Sequence, residues 1–294
     1  MNRDLAYLDR LTLRVRRGMG DRPGDRRFPG RPQPAGIEVE AHGAYVPGDD
    51  LRHLDWNAVG RLNALLVRRF TAEREVVVHL LLDASGSMAV PARDGKLAVA
   101  RELALGLAYV ALRANDAVRV AVLAGDGAAR VSPVLRQRGS LPRAAELLDV
   151  VETGGRFGLG AALEAYAREH PRPGLVIVLS DLMTEPAEVE RGLLALRARR
   201  HEVLLLHVIG AGEVDPGREF TRALLADVET GATHPVVLTA AVRARYRELL
   251  AEHLRALEEL AVRTRSAYAR LATGTSVREF LAVELPRLGV LVRR

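Results

Sequence analysis

Three side chains at alternate positions of one short segment have the chemistry to hold a hard cation. Asp83, Ser85 and Ser87 lie in the sequence DASGSM, directly after the apolar and β-branched run VVVHLLL at residues 76–82. Such a run, bounded by Gly and Ser, predicts a buried central strand. Carboxylate and hydroxyl oxygens suit Mg²⁺ or another divalent cation that keeps waters and takes a further carboxylate from a partner. The segment therefore predicts a metal site in the loop after this strand.

A further acid follows another apolar run. Asp181 comes directly after GLVIVLS at residues 174–180. Parallel strands of an open sheet bring their carboxyl ends to one edge, where ligands bind, so we expect Asp181 to lie beside Asp83 as a fourth metal ligand. Taken alone, Asp181 could equally be a helix cap or a turn residue.

The spacing in DASGSM, between a predicted strand and a predicted helix, resembles the metal-ion-dependent adhesion site of von Willebrand factor A-type domains. The resemblance implies a Thr ligand from a second loop and an Asp from a third, here Asp181. The second loop, VETGGRFGLGAAL, departs from that pattern, because Arg156 stands where the Thr is expected and Thr153 lies three residues earlier. Thr153 could still be a ligand. Alternatively, the Arg156 guanidinium could replace the ion, because a cation beside two carboxylates stabilises their charged forms.

Another cluster of polar and aromatic residues precedes the sheet, in AHGAYVPGDDLRHLDWNAVGRLNALLVRRF. PGDD predicts a turn, after which Asp49 or Asp50 could cap a short helix. Asp55 precedes the only tryptophan, Trp56, and Arg61 follows five residues later. Clustered acids and arginines around a lone tryptophan predict a packed corner held by charge-assisted hydrogen bonds. A recognition surface is the other interpretation, and the two could coexist.

This cluster also resembles the defining motif of the uncharacterised domain family numbered fifty-eight. The matching residues are Gly43, Tyr45, Pro47, Gly48, Asp49, Asp50, Arg52, Asp55, Trp56 and Arg61. With the strand LLVRRF, the A-type core and both acids, the resemblance covers about residues 37–210. Members are commonly encoded beside AAA+ ATPases of the MoxR class, with which they are thought to mature or remodel other proteins, and no catalytic activity is established for them. The resemblance implies a partner-binding role, in which the motif could be a partner surface.

The order of predicted elements indicates an α/β fold. After strand 76–82 we expect helix 95–113, strands 117–123 and 129–135, helices 140–150 and 158–169, strand 174–180, helix 186–199 and strand 202–208. This alternation predicts a Rossmann-like parallel sheet of the von Willebrand factor A type, flanked by helices. The predicted domains are a helix (4–17) and a flexible Gly/Pro/Arg loop in 1–36, the polar-aromatic motif module in 37–75, the core in 76–212, and a C-terminal extension in 213–294 with a hairpin and helices at 240–266 and 276–286.

The basic residues of this chain are almost all arginine, with Lys96 as the only lysine. Lys and Arg number 43 against 37 Asp and Glu, for a formal net charge of +6. Aromatics, at 4%, are too few for a base-stacking platform, so the charge favours a solvated surface over nucleic-acid binding. Cys is absent, which excludes disulfides and thiolate zinc sites. No segment reaches the roughly 18 apolar residues that span a bilayer, and we expect a soluble, cytoplasmic protein.

These features favour a protein-binding adaptor or co-chaperone without catalytic residues, which acts with a MoxR-class AAA+ ATPase on client proteins that the sequence does not identify. One alternative is a metal-dependent hydrolase, a phosphatase or nuclease that uses Asp83 and Asp181. Against a serine hydrolase, Ser85 does not lie in a G-x-S-x-G nucleophile elbow. The other alternative is a basic nucleic-acid-binding protein, whose affinity for random DNA would fall steeply with salt.

Overall fold

The computed structural model describes most of the chain, in residues 5–14, 39–47, 51, 54–62, 64–70, 77–124, 129–151, 153–154, 158–214, 222–226 and 233–293. The chain divides into two compact units, one of residues 1–19 with 76–294 and one of residues 20–75. Among the helices described, none is long and apolar enough to cross a membrane.

The N-terminal segment contains a strand rather than the helix predicted for residues 4–17. A 3₁₀ turn at Ala6–Leu8 precedes strand β1 (Leu11–Leu13), which pairs antiparallel with Leu291–Arg293. The leucines at 8, 11 and 13 are buried. Pairing with Leu291–Arg293 determines that this segment is a strand. The leucine spacing alone does not, because it can bury one side of a strand or one face of a helix.

Within residues 20–75, the described part of the chain has two strands and one short helix. Strand β2 (Val39–Ala44) pairs antiparallel with β3 (Leu66–Phe70), and α1 (Trp56–Leu62) lies between them in sequence. The prediction of a strand in LLVRRF is confirmed.

The other unit is built on one six-stranded sheet. The other strands that the structure describes are β4 (Val77–Asp83), β5 (Ala117–Leu123), β6 (Arg130–Val131), β7 (Leu175–Ser180), β8 (Glu202–Ile209), β9 (Arg222–Ala226), β10 (Thr233–Val237), β11 (Ala267–Ala272) and β12 (Leu291–Arg293). The order across the sheet is β11-β8-β7-β4-β5-β6, and only β6 runs antiparallel to its neighbour. This is the doubly wound order 3-2-1-4-5-6, with its switch point between β4 and β7. The predicted parallel-dominated sheet is confirmed.

Helices cover both faces of this sheet, as predicted. They are α2 (Lys96–Arg113), α3 (Leu141–Asp149), α4 (Leu159–Glu169), α5 (Pro186–Ala198), α6 (Ala211–Val214), α7 (Ala240–Arg263), α8 (Val277–Glu279) and α9 (Leu285–Arg287), with a π-helical turn at Phe280–Glu284 between the last two. Apolar residues of α2, α3 and the 277–287 segment pack on one face with the N-terminal leucines, and those of α4, α5 and α7 pack on the other. Alternate strand residues enter the two cores, which explains why β4 is apolar on both sides.

The C-terminal region differs from the prediction at the end of one helix and at two strands, β11 and β12. The predicted hairpin is present as the antiparallel pair β9–β10. However, α7 ends at Arg263 rather than at 266, and β11, which was not predicted, adds a parallel strand beside β8. Arg265 has a φ of 53°, a left-handed conformation that ends the helix.

Candidate functional site

The fold brings the two predicted acids to the switch point of the sheet. Asp83 is the last residue of β4, and Asp181 directly follows β7, the neighbouring parallel strand. Ligand sites of doubly wound sheets lie outside the carboxyl ends of the strands at this switch point. The local sequence explains the placement, because each acid terminates a run of buried apolar residues.

The carboxylate of Asp83 is buried, and each of its two oxygens accepts a hydrogen bond. The Ser85 backbone N–H donates to its Oδ1 at 2.8 Å, and the Ser180 hydroxyl donates to its Oδ2 at 2.6 Å. Burial, followed by repulsion from Asp181, raises the pKa of Asp83 to about 6, while the hydrogen bonds from Ser180 and Ser85 oppose that rise. Asp83 thus links the first and third loops of the site.

The two serines of DASGSM connect to the second acid. The hydroxyls of Ser85 and Ser87 are 2.9 Å apart and hydrogen-bonded, and Ser87 Oγ donates to Asp181 Oδ1 at 3.1 Å. The Met183 backbone N–H also approaches Asp181 Oδ1, at 3.3 Å. The structure therefore brings Asp83, Ser85, Ser87 and Asp181 into one connected group, in which both serines are half-buried.

A lysine ammonium completes this group. Lys96, the first residue of α2, donates from Nζ to Asp181 Oδ2 at 2.8 Å, and it also donates to Glu213. Only 1% of the Lys96 side chain is exposed. Burial alone would lower the pKa of Lys96, but attraction from Asp181 and hydrogen bonds to Asp181 and Glu213 together raise it. The site thus contains a buried cation supplied by the chain itself.

The loop after β8 positions Glu213 at this cation. Glu213 lies in the short α6, where its second oxygen accepts a hydrogen bond from the Gly210 backbone N–H at 2.7 Å. The Gly212 N–H donates to Asp94 Oδ2 at 2.9 Å. A Cβ at Gly210 would lie 2.3 Å from that same Asp94 oxygen, so any larger residue there would displace the Asp94 side chain.

The second predicted loop lies next to the first. The Gly154 N–H donates to the carbonyl of Ala84 at 3.2 Å, which places the neighbouring Thr153 in the loop beside Asp83. Thr153 is half-buried. Arg156, the predicted substitute for the ion, lies outside the described residues.

A resident divalent ion would need carboxylate or hydroxyl oxygens at this site that can bind it. Carboxylate and hydroxyl oxygens are of the type that Mg²⁺ prefers. However, Asp181 Oδ2 already binds an ammonium, and both Asp83 oxygens accept hydrogen bonds. The ammonium already bound to Asp181 disfavours a divalent ion at that carboxylate, and the metal roles predicted for Asp83, Ser85, Ser87 and Asp181 stay a prediction.

Sequence reasoning missed three members of the site, namely Lys96, Ser180 and Glu213. Ser180 could have been found, because it directly precedes Asp181. Lys96 had a signal in composition, since a lone lysine among 43 basic residues stands out in an arginine-rich chain. Glu213 had no signal, because it is one of many glutamates and 117 residues separate it from Lys96.

The family-motif residues are only partly described. Gly43 lies in β2, the Tyr45 N–H donates to the Leu65 carbonyl, Pro47 lies in a turn, and Arg61 is an exposed residue of α1. Gly48, Asp49, Asp50 and Arg52 lie outside the described residues.

Asp55 and Trp56 have opposite environments. Asp55 is buried and caps α1, because its Oδ1 accepts from the backbone N–H groups of Asn57 at 3.0 Å and Ala58 at 3.3 Å. Trp56, the first residue of the helix, is 68% exposed. The prediction of a corner packed around Trp56 is wrong, because the buried residue at this helix start is the capping aspartate.

Two histidines of the sheet are buried at structural positions. His79 Nδ1 lies 2.8 Å from the Tyr166 hydroxyl, and His207 Nδ1 lies 2.8 Å from the Tyr268 hydroxyl. Burial lowers the pKa of His79 to about 3 and that of His207 to about 4. Both side chains are therefore neutral at physiological pH.

Comparisons with known proteins give both relatives and fold neighbours. The chain is 30% identical over 219 residues to the uncharacterized protein Rv1480 of Mycobacterium tuberculosis, covering 71% of this chain and 66% of that protein, just under two thirds of its length. It is also 30% identical over 166 residues to the uncharacterized protein MAV169 of Mycobacterium avium, covering 55% of this chain and 90% of that protein.

Solved structures similar to this chain include BatB from Bacteroides thetaiotaomicron, with a TM-score of 0.43 and 17% identity over 73% of this chain and 98% of that one. The SpRpn10 VWA domain has a TM-score of 0.38 and 11% identity over 72% of this chain and 95% of that one. The strand order, rather than these low scores, identifies the sheet as doubly wound.

The family model described as "Protein of unknown function DUF58" matches residues 42–256, which include the polar-aromatic motif, both acids and Lys96. The chain belongs to this family.

Proposed function

We propose that this chain is a non-enzymatic protein-binding adaptor that contacts a MoxR-class AAA+ ATPase through the motif segment and presents client proteins to it. The choice of ATPase rests on the family resemblance. The contact surface rests on one observation, the 68% exposure of Trp56 at the start of α1. An exposed tryptophan is unusual, because its large apolar ring is normally buried in the core or in an interface.

The surroundings of Trp56 support a contact surface. Other large apolar side chains of the same unit are more than half exposed, namely Val46, Leu51, Leu62 and Leu65. Exposed apolar residues grouped in one segment are typical of protein–protein contact sites, in which tryptophan is enriched among the residues that contribute most to affinity. Loss of such a residue costs at least about 2 kcal/mol, which corresponds to roughly thirtyfold in the dissociation constant.

The structure offers less support for a hydrolase. The Ser85 hydroxyl is hydrogen-bonded to Ser87, not to a histidine that could act as a base. A two-carboxylate mechanism would need Asp181 to bind a metal, and one of its oxygens is bound to the ammonium of Lys96. We therefore propose no catalytic role for Asp83 or Asp181.

Capture of the ATPase tests this proposal. The tagged chain is used to isolate a MoxR-class AAA+ ATPase from an extract of its source organism, and the affinity is then measured with the purified ATPase. We expect Trp56→Ala to weaken binding roughly thirtyfold. Val262→Ala is the matched control, because Val262 is a 77% exposed apolar residue of α7 outside the motif segment.

Equal binding by wild type and Trp56→Ala would contradict the proposed contact surface. Failure to recover any AAA+ ATPase, together with salt-sensitive binding to random DNA, would instead favour a nucleic-acid-binding protein.

A further inference from the structure

The site at the switch point holds a cation that belongs to the chain. Lys96 Nζ lies 2.8 Å from Asp181 Oδ2 and also bonds to Glu213, so at least two of its three N–H donors are used. The Lys96 and Asp181 side chains are 1% and 2% exposed. A buried ammonium at this distance from a carboxylate is a charge-assisted hydrogen bond shielded from solvent.

This cation bonds directly to Asp181, one of the four predicted metal ligands, and to Glu213, which is not among them. Lys96 begins α2, Asp181 follows β7 and Glu213 follows β8. Asp181 in turn accepts from Ser87, and Asp83 accepts from Ser180, the residue before Asp181. The ammonium therefore takes part in one continuous network that connects α2 with the loops after β4, β7 and β8.

The identity of the residue is informative in this chain. Lys96 is the only lysine among 43 basic residues. An ammonium is a compact point charge on a flexible stem, whereas a guanidinium is a planar fork that needs a wider space. Lys96 places this compact charge within hydrogen-bond distance of both Asp181 and Glu213.

We propose that Lys96 is the resident cation of this site and takes the place of the divalent ion that the Asp83–Ser87 signature suggests. A divalent ion bound to Asp181 Oδ1, the oxygen that Lys96 does not contact, would lie close to this ammonium, and like charges repel strongly where water is excluded. This inference concerns the switch-point site and does not rest on the function proposed for Trp56.

The single lysine makes a direct test possible in the intact wild-type chain. Selective labelling of lysine with ¹⁵N and ¹³C gives one side-chain signal without any assignment. We expect ammonium protons that exchange slowly with water and a signal unchanged by millimolar magnesium chloride, manganese chloride or EDTA. A signal from a solvent-exchanging lysine, or one that moves on addition of magnesium, would overturn the proposal.

Variants of Lys96 provide a second measurement. Lys96→Met removes the repelling charge, so we expect its affinity for Mn²⁺, measured by calorimetry, to rise at least about tenfold over wild type. Lys96→Arg keeps the positive charge, so its affinity for Mn²⁺ should be as low as that of wild type. Tight Mg²⁺ binding by wild type that is lost in Asp83→Ala would refute the inference, and the wild-type spectra decide the question even if Lys96→Met does not fold.

Discussion

Replacing Lys96 by methionine removes the buried ammonium while keeping most of the side-chain volume. Asp181 would then be left with a buried carboxylate oxygen that has lost its charged partner. Burying a charge without compensation is costly, because neither water nor a counter-ion offsets its lost hydration. We therefore expect Lys96→Met to destabilise the folded chain strongly.

The distance between Lys96 Nζ and Asp181 Oδ2 sets the size of the expected loss in stability. At the observed 2.8 Å between Nζ and Oδ2, and with an effective dielectric constant of about 20, the attraction is about 6 kcal/mol. The variant no longer has to desolvate the ammonium, which offsets part of that loss. Measured losses on removing one partner of a buried pair are about 3–5 kcal/mol, and we expect about 4 kcal/mol here.

Urea unfolding at neutral pH measures this loss as a change in the free energy of unfolding. Arg245→Met is the matched control, since Arg245 forms an exposed pair with Glu248 at 3.1 Å with side chains 62% and 63% exposed. The control should cost less than about 0.5 kcal/mol. The double variant Lys96→Met/Asp181→Asn should be more stable than the sum of the single losses predicts, by about 2 kcal/mol. A loss below about 1 kcal/mol in Lys96→Met, or additive losses in the double variant, would refute the reasoning.

Three further predictions concern other parts of the chain. Folding lowers the pKa of His79 from 6.5 to about 3, so below pH 6.5 a proton binds His79 in the unfolded chain but not in the folded chain. The free energy of unfolding therefore decreases as the pH is lowered from 6.5 to about 3. Between pH 7.5 and 5.0 wild type should lose about 2 kcal/mol more than His79→Gln in urea unfolding, and equal losses would exclude this role. Asp55→Ala should destabilise α1 by about 1 kcal/mol in hydrogen exchange of the α1 amides, whereas Asp55→Asn, which keeps the accepting oxygen, should not. Leu8→Ala should cost about 2–5 kcal/mol in urea unfolding, since Leu8 is fully buried, and a loss under about 1 kcal/mol would mean that the N-terminal segment does not pack on the core.

Several elements could be predicted from local patterns. The long apolar strands β4, β7 and β8 and helix α2 were found within one or two residues, because buried runs and helical spacing are strong signals. The short β1 and the polar β11 were missed. β1 is three residues long and owes its conformation to pairing with β12, and β11 follows α7 so closely that the helical pattern extended over its start.

The sequence by itself determined the class of fold and the meeting of Asp83 with Asp181, because each acid ends a buried strand and parallel strands share one edge. Only the tertiary structure decided that a lysine ammonium pairs with Asp181. Lys96 meets Asp181 across 85 residues and Glu213 across 117, and no local period encodes such a contact. An ion pair depends on distance in the folded chain rather than on sequence spacing. The exposure of Trp56 was likewise not predictable from the sequence, because it depends on which residues pack against the ring in the folded chain.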